Sequence, residues 1–283
     1  MSKDAQYYES RYNPRLAVPE YAQHFERWAQ RSERARSRMD GYLDVPYGGH
    51  SMEKLDLFRA RGASRGLLMF IHGGYWRALD KSQHSFVAQP FVEAGVTVAV
   101  VNYALCPAVT VEDIVRQTLQ ATAWLYRNGG NFGAPPGRLH AAGHSAGGHL
   151  TAMLLAAQWP RFAPDLPART VQGGLSVSGV FDAVPVMNTP SVNVDVRLDA
   201  AMASRVSPAN MPPATDAPLY LAVGGKEQEG FHEQHALIKR KWSKVVAGEL
   251  ACPEDNHFTI LERLADPGSA LFAGALRMMG LAG

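Results

Sequence analysis

The chain has 283 residues, of which 46% are apolar and 19% are charged, a balance typical of a globular protein and not of a disordered one. Its formal net charge of +2 offers no concentrated basic footprint for a nucleic acid. The two cysteines lie far apart, the first residues lack an apolar leader segment, and no apolar run is long enough for a bilayer, so we expect a cytoplasmic protein without a membrane partner.

The first 40 residues come before any strand pattern. Pro19 is suited to begin a helix, and Tyr21, Phe25 and Trp28 then share one face of it. We expect residues 1–40 to form a helical cap segment that packs over the carboxyl edge of a sheet.

From Gly41 onward, short apolar runs alternate with longer amphipathic ones. Residues 41–48 and 53–60 predict an antiparallel opening pair of strands. Five near-continuous apolar runs predict strands that are covered on both faces. These runs are Gly66–His72, Val96–Ala104, Arg138–His144, Gly173–Gly179 and Pro218–Gly224.

Helices are predicted between these strands. One begins after Thr110, a suitable N-cap with Asp113 three residues on, and ends at Gly129. Residues 146–159 are apolar nearly all round, as in a buried helix, and residues 229–246 and 267–283 supply two more. The alternation predicts an α/β fold in one domain spanning 1–283, with a mostly parallel central sheet and helices on both faces.

The sequence Gly143-His144-Ser145-Ala146-Gly147 lies between a predicted strand and a predicted helix. This is the pattern of the nucleophile elbow of an α/β-hydrolase, in which a sharp turn tolerates only small neighbours around the serine. Ser145 then begins a helix, where free N–H groups favour a developing anion. The alternative is a glycine-rich turn without chemistry, and the flanking strand and helix favour the elbow.

The sequence IHGGYW, residues 71–76, directly follows another predicted strand. In serine hydrolases of this fold such a loop supplies backbone donors to the oxyanion hole. We predict that the N–H groups of Gly74, Tyr75 and Ala146 form this hole, and that His72 braces its own loop.

A serine needs a base, and the chain order of this fold is serine, acid, histidine. His257 lies beyond the last predicted strand and is the candidate base. Glu227 has the usual offset for the acid, with Glu229 as the competitor. His232 and His235 have the spacing of a metal-binding pair without a third ligand, so a solvated helix face is favoured and no metal site is predicted.

These motifs resemble the kynurenine formamidase (arylformamidase) group of α/β-hydrolases, in the subgroup with HGGxW. The matching pieces follow the expected order: YNPR, VPEY, FERW, YGG, LDLF, HGGYW, GHSAGGH, SGVFD, RVSP, LAVGGKE and NHF. The resemblance implies cleavage of an N-formyl aryl amide to formate and an aromatic amine, with Ser145 as nucleophile, Glu227 as acid and His257 as base. Lys226 and Asn256 depart from the pattern, since relatives often carry acidic residues there.

Side chains next to these motifs are predicted to contact the substrate, and aromatic ones would suit an aryl leaving group. The predicted contacts are Gly73, Trp76, His144, Tyr103 and Phe181. Arg77 either contacts a substrate carboxylate or is an ordinary surface residue.

The sequence therefore predicts a serine hydrolase that acts on a small-molecule substrate through an acyl-enzyme, with no metal or organic cofactor. A broad carboxylesterase for short acyl esters is the alternative. A catalytically inactive hydrolase serving as a receptor is disfavoured because every motif is intact, and a zinc-dependent formamidase because no ligand cluster is evident. A monomer and a homodimer are both compatible with the sequence.

Overall fold

One twisted sheet organises the computed structural model, which describes residues 4–281. Its strands are β1 (Gly41–Pro46), β2 (Lys54–Phe58), β3 (Leu67–Ile71), β4 (Thr97–Val101), β5 (Leu139–His144), β6 (Gly174–Val177), β7 (Leu219–Gly224) and β8 (Val246–Cys252). They lie in the order β1-β2-β4-β3-β5-β6-β7-β8. β2 is antiparallel to β1 and β4, and the remaining neighbours are parallel.

Helices connect the strands and cover the sheet. They are α1 (Ala5–Tyr12), α2 (Pro14–Ala17), α3 (Tyr21–Arg36), α4 (Ser85–Glu93), α5 (Val111–Asn128), α6 (Ala146–Ala156), α7 (Trp159–Phe162), α8 (Val184–Met187), α9 (Pro190–Val196), α10 (Ala200–Arg205), α11 (Glu229–Lys241), α12 (Thr259–Leu264) and α13 (Ala270–Met278). Among the described residues, no helix combines the length and apolar character needed to cross a membrane.

Both faces of the sheet are buried, as the near-continuous apolar runs predict. In β3, Met69 and Ile71 belong to one apolar cluster, whereas Leu68 and Phe70 belong to a second cluster on the opposite face. The predicted α/β fold with a mostly parallel central sheet is therefore confirmed, including the antiparallel opening pair β1 and β2.

The helix α5 begins as its sequence predicts. The Thr110 hydroxyl accepts the Asp113 N–H, and the Asp113 carboxylate accepts the Thr110 N–H in return, which completes a capping box.

The predicted helix over 229–246 is wrong at its end. It stops at Lys241, and Val246 already belongs to β8, an edge strand with alternating exposed residues. A half-exposed edge strand lacks the continuous apolar run that marks the central strands.

The N-terminal segment lies over the carboxyl edge of the sheet, as expected, although α3 begins at Tyr21 and not at Pro19. The ring of Phe25 lies 5.7 Å from that of Phe258. Arg11 makes ion pairs with Glu229 and Glu233 of α11, each with 2.6 Å between the charged atoms. The cap segment is thus fastened to the sheet domain by aromatic contacts and by exposed ion pairs.

Candidate active site

Ser145 is the single residue of the turn between β5 and α6. Its φ of 56° and ψ of −117° are strained for a residue with a side chain, and its N–H donates to the Val177 carbonyl at 2.8 Å. A Cβ on Gly143 would lie 2.1 Å from the Gly147 carbonyl oxygen, and one on Gly147 would lie 1.9 Å from that of Ile71. A side chain is thus excluded two residues before and two residues after the serine, which is the geometry of a nucleophile elbow.

The loop after β3 approaches this turn with a strained backbone. Gly74, Tyr75 and Trp76 have successive positive φ values of 105°, 48° and 55°. Among residues 4–281, the N–H groups of Gly74, Tyr75 and Ala146 donate to no protein group. These three donors beside Ser145 are the arrangement expected of an oxyanion hole, and their role stays a prediction.

His257 is held by Glu227. Its Nδ1–H donates to Glu227 Oε2 at 2.6 Å, and the carboxylate is fully buried. The other oxygen, Oε1, accepts the Ser178 hydroxyl at 2.5 Å and the Gly224 N–H at 2.7 Å. The acid is therefore fixed by three donors, and it fixes the imidazole with its proton on Nδ1.

The loops that carry these two residues are joined by their backbones. The Lys226 N–H donates to the Asp255 carbonyl at 3.0 Å, and the Gly225 N–H donates to the Cys252 carbonyl at 2.8 Å. Gly225 must lack a side chain, because a Cβ there would lie 2.4 Å from the Pro253 oxygen. The acid and the histidine thus reach each other at the ends of the adjacent parallel strands β7 and β8.

Ser145 and His257 line the same cavity. No hydrogen bond joins Ser145 Oγ to His257 in the described chain, yet neither Oγ nor His257 Nε2 is among the fully enclosed polar atoms that lack a partner. Both atoms are therefore open to the cavity. In ligand-free sites such bonds are often long, and they tighten once a substrate is present.

The competing acid Glu229 lies outside the site. Its side chain is 73% exposed and pairs with Arg11, whose hydrogen bond lowers the pKa of Glu229.

Both departures from the family pattern, Lys226 and Asn256, have structural roles. Lys226 pairs with Glu254 at 2.8 Å on the surface, and Asn256 Oδ1 accepts the N–H groups of Phe258 and Thr259 where α12 begins.

The cavity beside Ser145 and His257 is lined by two parts of the chain. The sheet contributes what we call the sheet wall: Gly74, Tyr75, His144, Ser145 and His257. The N-terminal segment contributes the cap wall: Asn13, Pro14, Arg15, Phe25 and Trp28. Arg77, Leu79, Val192 and Phe258 complete the lining. The lining is mostly apolar and aromatic, with two arginines and no carboxylate.

Of the predicted substrate contacts, His144 lines this cavity and Gly73 lies buried directly beneath it. The prediction is wrong for the three aromatic residues. Trp76 and Tyr103 are completely buried, Phe181 is 2% exposed, and none of them lines the cavity. These rings therefore pack beneath the site instead of contacting a substrate.

Two of these rings have specific partners. The indole N–H of Trp76 donates to His149 Nδ1 at 3.2 Å, and His149 Nε2–H donates to the Val206 carbonyl at 2.6 Å. Burial lowers the pKa of His149 to about 4, which keeps the acceptor nitrogen available. Tyr103 stacks on His72 with ring centroids 4.3 Å apart and donates to the His72 carbonyl at 2.9 Å.

His72 braces its loop as predicted, because its ring contacts the Gly73 carbonyl at 2.8 Å and the Asn102 side chain at 3.2 Å. His235 contacts Glu249 at 2.9 Å on the surface of α11.

Arg77 lines the cavity, but its guanidinium is already paired with Asp195 at 2.6 Å. It is therefore neither free to bind a substrate carboxylate nor an ordinary surface residue.

Besides the residues of the cap wall, the motif analysis missed two residues that support the Glu227–His257 pair. Ser178 supports the acid from the loop after β6, and Phe231 packs on the His257 ring with centroids 4.4 Å apart. Ser178 has a positive φ of 53° and follows a parallel strand next to β7. A serine directly after a buried strand, at the sheet edge where the acid must lie, is the signal that points to it.

A family model described as alpha/beta hydrolase fold matches residues 68–211, half of the chain. The loop after β3, residues 72–76, is called the oxyanion loop below after its predicted role. Together with the elbow, this loop and the Glu227–His257 pair, the match assigns the class. The chain belongs to the α/β-hydrolase family and is a hydrolase.

Similarity over the full length narrows that assignment. Kynurenine formamidase from Danio rerio is 30% identical over 99% of this chain and 97% of its own, and the one from Salmo salar is 29% identical over the same shares. A suspected thioesterase from Silicibacter sp. tm1040 has a solved structure with a TM-score of 0.84 and 33% identity, covering 96% of this chain and 98% of its own. The chain is thus a kynurenine formamidase-like member of the family.

A more distant structure shares the fold alone. Esterase B from Lactobacillus rhamnosis, inhibited by a phosphonate, superimposes with a TM-score of 0.72 at 17% identity over 93% of this chain and 96% of its own. Kynurenine formamidase-like and esterase chains are therefore built on one architecture.

Proposed function

We propose that the chain is a serine hydrolase that cleaves an N-formyl aryl amide, such as N-formylkynurenine, to formate and an aromatic amine. The observation that carries this proposal is the 2.6 Å hydrogen bond between His257 Nδ1 and the buried Glu227 carboxylate. His257 lines the same cavity as Ser145. The full-length similarity to kynurenine formamidases supports the choice of substrate.

The geometry supports the following reaction. Ser145 Oγ attacks the formyl carbon while His257 Nε2 takes its proton, and Glu227 stabilises the imidazolium that forms. The carbonyl oxygen becomes an anion held by the N–H groups of Gly74, Tyr75 and Ala146, each worth roughly 3 kcal/mol in the transition state.

The tetrahedral intermediate then collapses. The C–N bond breaks, the amine nitrogen takes the proton from His257 Nε2, and the aromatic amine leaves behind a formyl ester on Ser145. Water, deprotonated by His257, attacks that ester, and formate departs as Ser145 recovers its proton. His257 carries every proton in this sequence, and one water molecule is consumed in the second half.

The cavity is suited to a small acyl group and an aromatic leaving group. Tyr75 crowds the site beside the oxyanion donors, which a formyl hydrogen tolerates. The rings of Phe25, Trp28 and Phe258 offer an apolar surface to an aryl group.

The test is a comparison of kcat/KM for N-formylkynurenine and for short p-nitrophenyl esters with the purified protein. We expect the formamide to be the better substrate, and S145A to abolish both activities and labelling by a fluorophosphonate.

A broad carboxylesterase is the second candidate, because the same serine, histidine and oxyanion donors serve esters equally well. Esters preferred by several orders of magnitude would establish that candidate instead.

A further inference from the structure

His144 makes a contact that the reaction above does not use. It is 4% exposed, directly precedes Ser145, and lines the cavity. Its Nε2 lies 2.8 Å from the backbone carbonyl oxygen of His257. The two imidazole rings lie 4.8 Å apart, so His144 is the immediate neighbour of both the nucleophile and the base.

The contact fixes where the His144 proton lies. A carbonyl oxygen only accepts hydrogen bonds, so Nε2 must carry the hydrogen. Burial holds the pKa of His144 well below its ordinary value, and the ring is therefore neutral with a bare lone pair on Nδ1.

Nδ1 has no donor of its own. Among residues 4–281 it accepts no hydrogen bond, and it is not one of the fully enclosed atoms without a partner. It lies on the side of Gly73, where an added Cβ would come within 3.3 Å of Nδ1 and 3.0 Å of Ser145 Cβ. An unused acceptor thus lies beside the nucleophile, at the edge of the oxyanion loop.

We propose that His144 Nδ1 accepts the N–H of the scissile amide and thereby makes the site selective for formamides with an N–H over esters. This inference rests on the proposed function. An amide brings a donor into a desolvated site, where an unpaired N–H is costly, whereas an ester oxygen has no hydrogen to offer. His144 would then hold the N–H on one side of the leaving nitrogen while the nitrogen lone pair faces His257 on the other.

Two substitutions separate this role from the support that His144 gives to His257. H144Q keeps a donor near the position of Nε2 and loses the acceptor at Nδ1. H144N keeps an acceptor near the position of Nδ1 and loses the donor to the His257 carbonyl. Each protein is assayed for kcat and KM on formanilide and on phenyl formate, which share acyl group and aryl ring and differ only in N–H against O.

We expect H144Q to lower the ratio of formanilide to phenyl formate kcat/KM by about tenfold or more. H144N should lower both rates by a similar factor and preserve the ratio. Fluorophosphonate labelling of Ser145 and thermal unfolding establish that each variant is folded with a competent nucleophile.

A third measurement needs no variant. Wild-type protein should hydrolyse N-methylformanilide, which lacks the N–H, about tenfold or more slowly than formanilide. Equal rates on these two substrates, or an unchanged ratio in H144Q, would overturn the role of His144 and leave the formamidase proposal standing. A wild-type protein that hydrolyses phenyl formate but no formamide would overturn the proposed function itself.

Discussion

The two walls of the cavity are built in different ways. In the sheet wall, Ser145 and His257 are 3% and 5% exposed, and buried hydrogen bonds and a strained backbone hold them. In the cap wall, Trp28 is 1% exposed but Arg15 is exposed, and ring contacts and surface ion pairs contribute to holding the helices that carry these residues. The proposed reacting groups thus belong to a wall that is fixed by a buried hydrogen-bond network, whereas the cap wall offers mainly rings and one exposed cation to the rest of a substrate.

The sheet wall should therefore tolerate far less change than the cap wall, and the largest effect is expected at its buried acid. E227Q should lower kcat on N-formylkynurenine by roughly 10³–10⁴, because an amide in this position favours the wrong tautomer of His257. E229Q should change kcat by less than about threefold, since an exposed ion pair with Arg11 contributes little. A larger loss in E229Q than in E227Q would move the acid to Glu229.

The second-largest effect on activity is expected from a substitution in the oxyanion loop. G74A places a Cβ 2.2 Å from the Ala78 carbonyl oxygen at a φ of 105°, so the loop must shift and its donors must move. We expect kcat/KM to fall by about a hundredfold, the scale of one lost oxyanion donor. G49A is the matched control, because a Cβ there has nothing within 4 Å. Equal activities of the two variants would show that this loop does not bind the oxyanion.

A buried histidine connects the two walls. The ring of His84 lies 5.7 Å from that of Trp28 in the cap segment and 5.4 Å from that of His72 below the sheet wall. Burial lowers the pKa of His84 to about 3. The unfolded chain takes up a proton near pH 6.5, so between these values the unfolded state binds more protons and stability falls as the pH drops.

This histidine should cost the fold about 2 kcal/mol between pH 8 and pH 5. His140 and His149, with pKa values lowered to about 4 by burial, act in the same direction. H84F should lose less stability than the wild type over this range, by about 2 kcal/mol, in urea unfolding at the two pH values. An identical loss in both proteins would mean that His84 does not stay neutral in the fold.

The sheet wall could be predicted from the sequence more completely than the cap wall. Glycines around Ser145 and after His72 mark turns that only small residues permit, and chain order then selects His257. No comparable sequence pattern indicates the direction in which a side chain points. Trp76 stands inside a motif of the site and yet does not line the cavity, and its indole donates to His149 instead.

Tertiary contacts explain the other differences. β8 could not be separated from the end of α11, since an edge strand with one exposed face has no distinctive apolar run. Ser178 could be found only once β6 and β7 were known to be neighbours. The predicted face of Tyr21, Phe25 and Trp28 did identify the cap helix, although it did not indicate that Arg15 would reach the cavity.

Arg15 provides the smallest predicted effect and the most direct test of the cap wall. Its guanidinium lies 5.0 Å from the centroid of the Tyr21 ring and makes no ion pair among the described residues, whereas Arg77 on the same cavity is held by Asp195. A free cation at the mouth should attract a carboxylate at the far end of a substrate.

We expect R15Q to raise KM for 4-formamidobenzoate about fivefold relative to formanilide, because an exposed charge contact contributes modestly and only the first substrate carries an anion. The difference should shrink at high ionic strength, since salt screens exposed charges. R38Q removes an exposed arginine away from the cavity and controls for the change in net charge. Equal shifts in KM for the two substrates in R15Q would mean that the cap wall selects by shape alone, and not by charge.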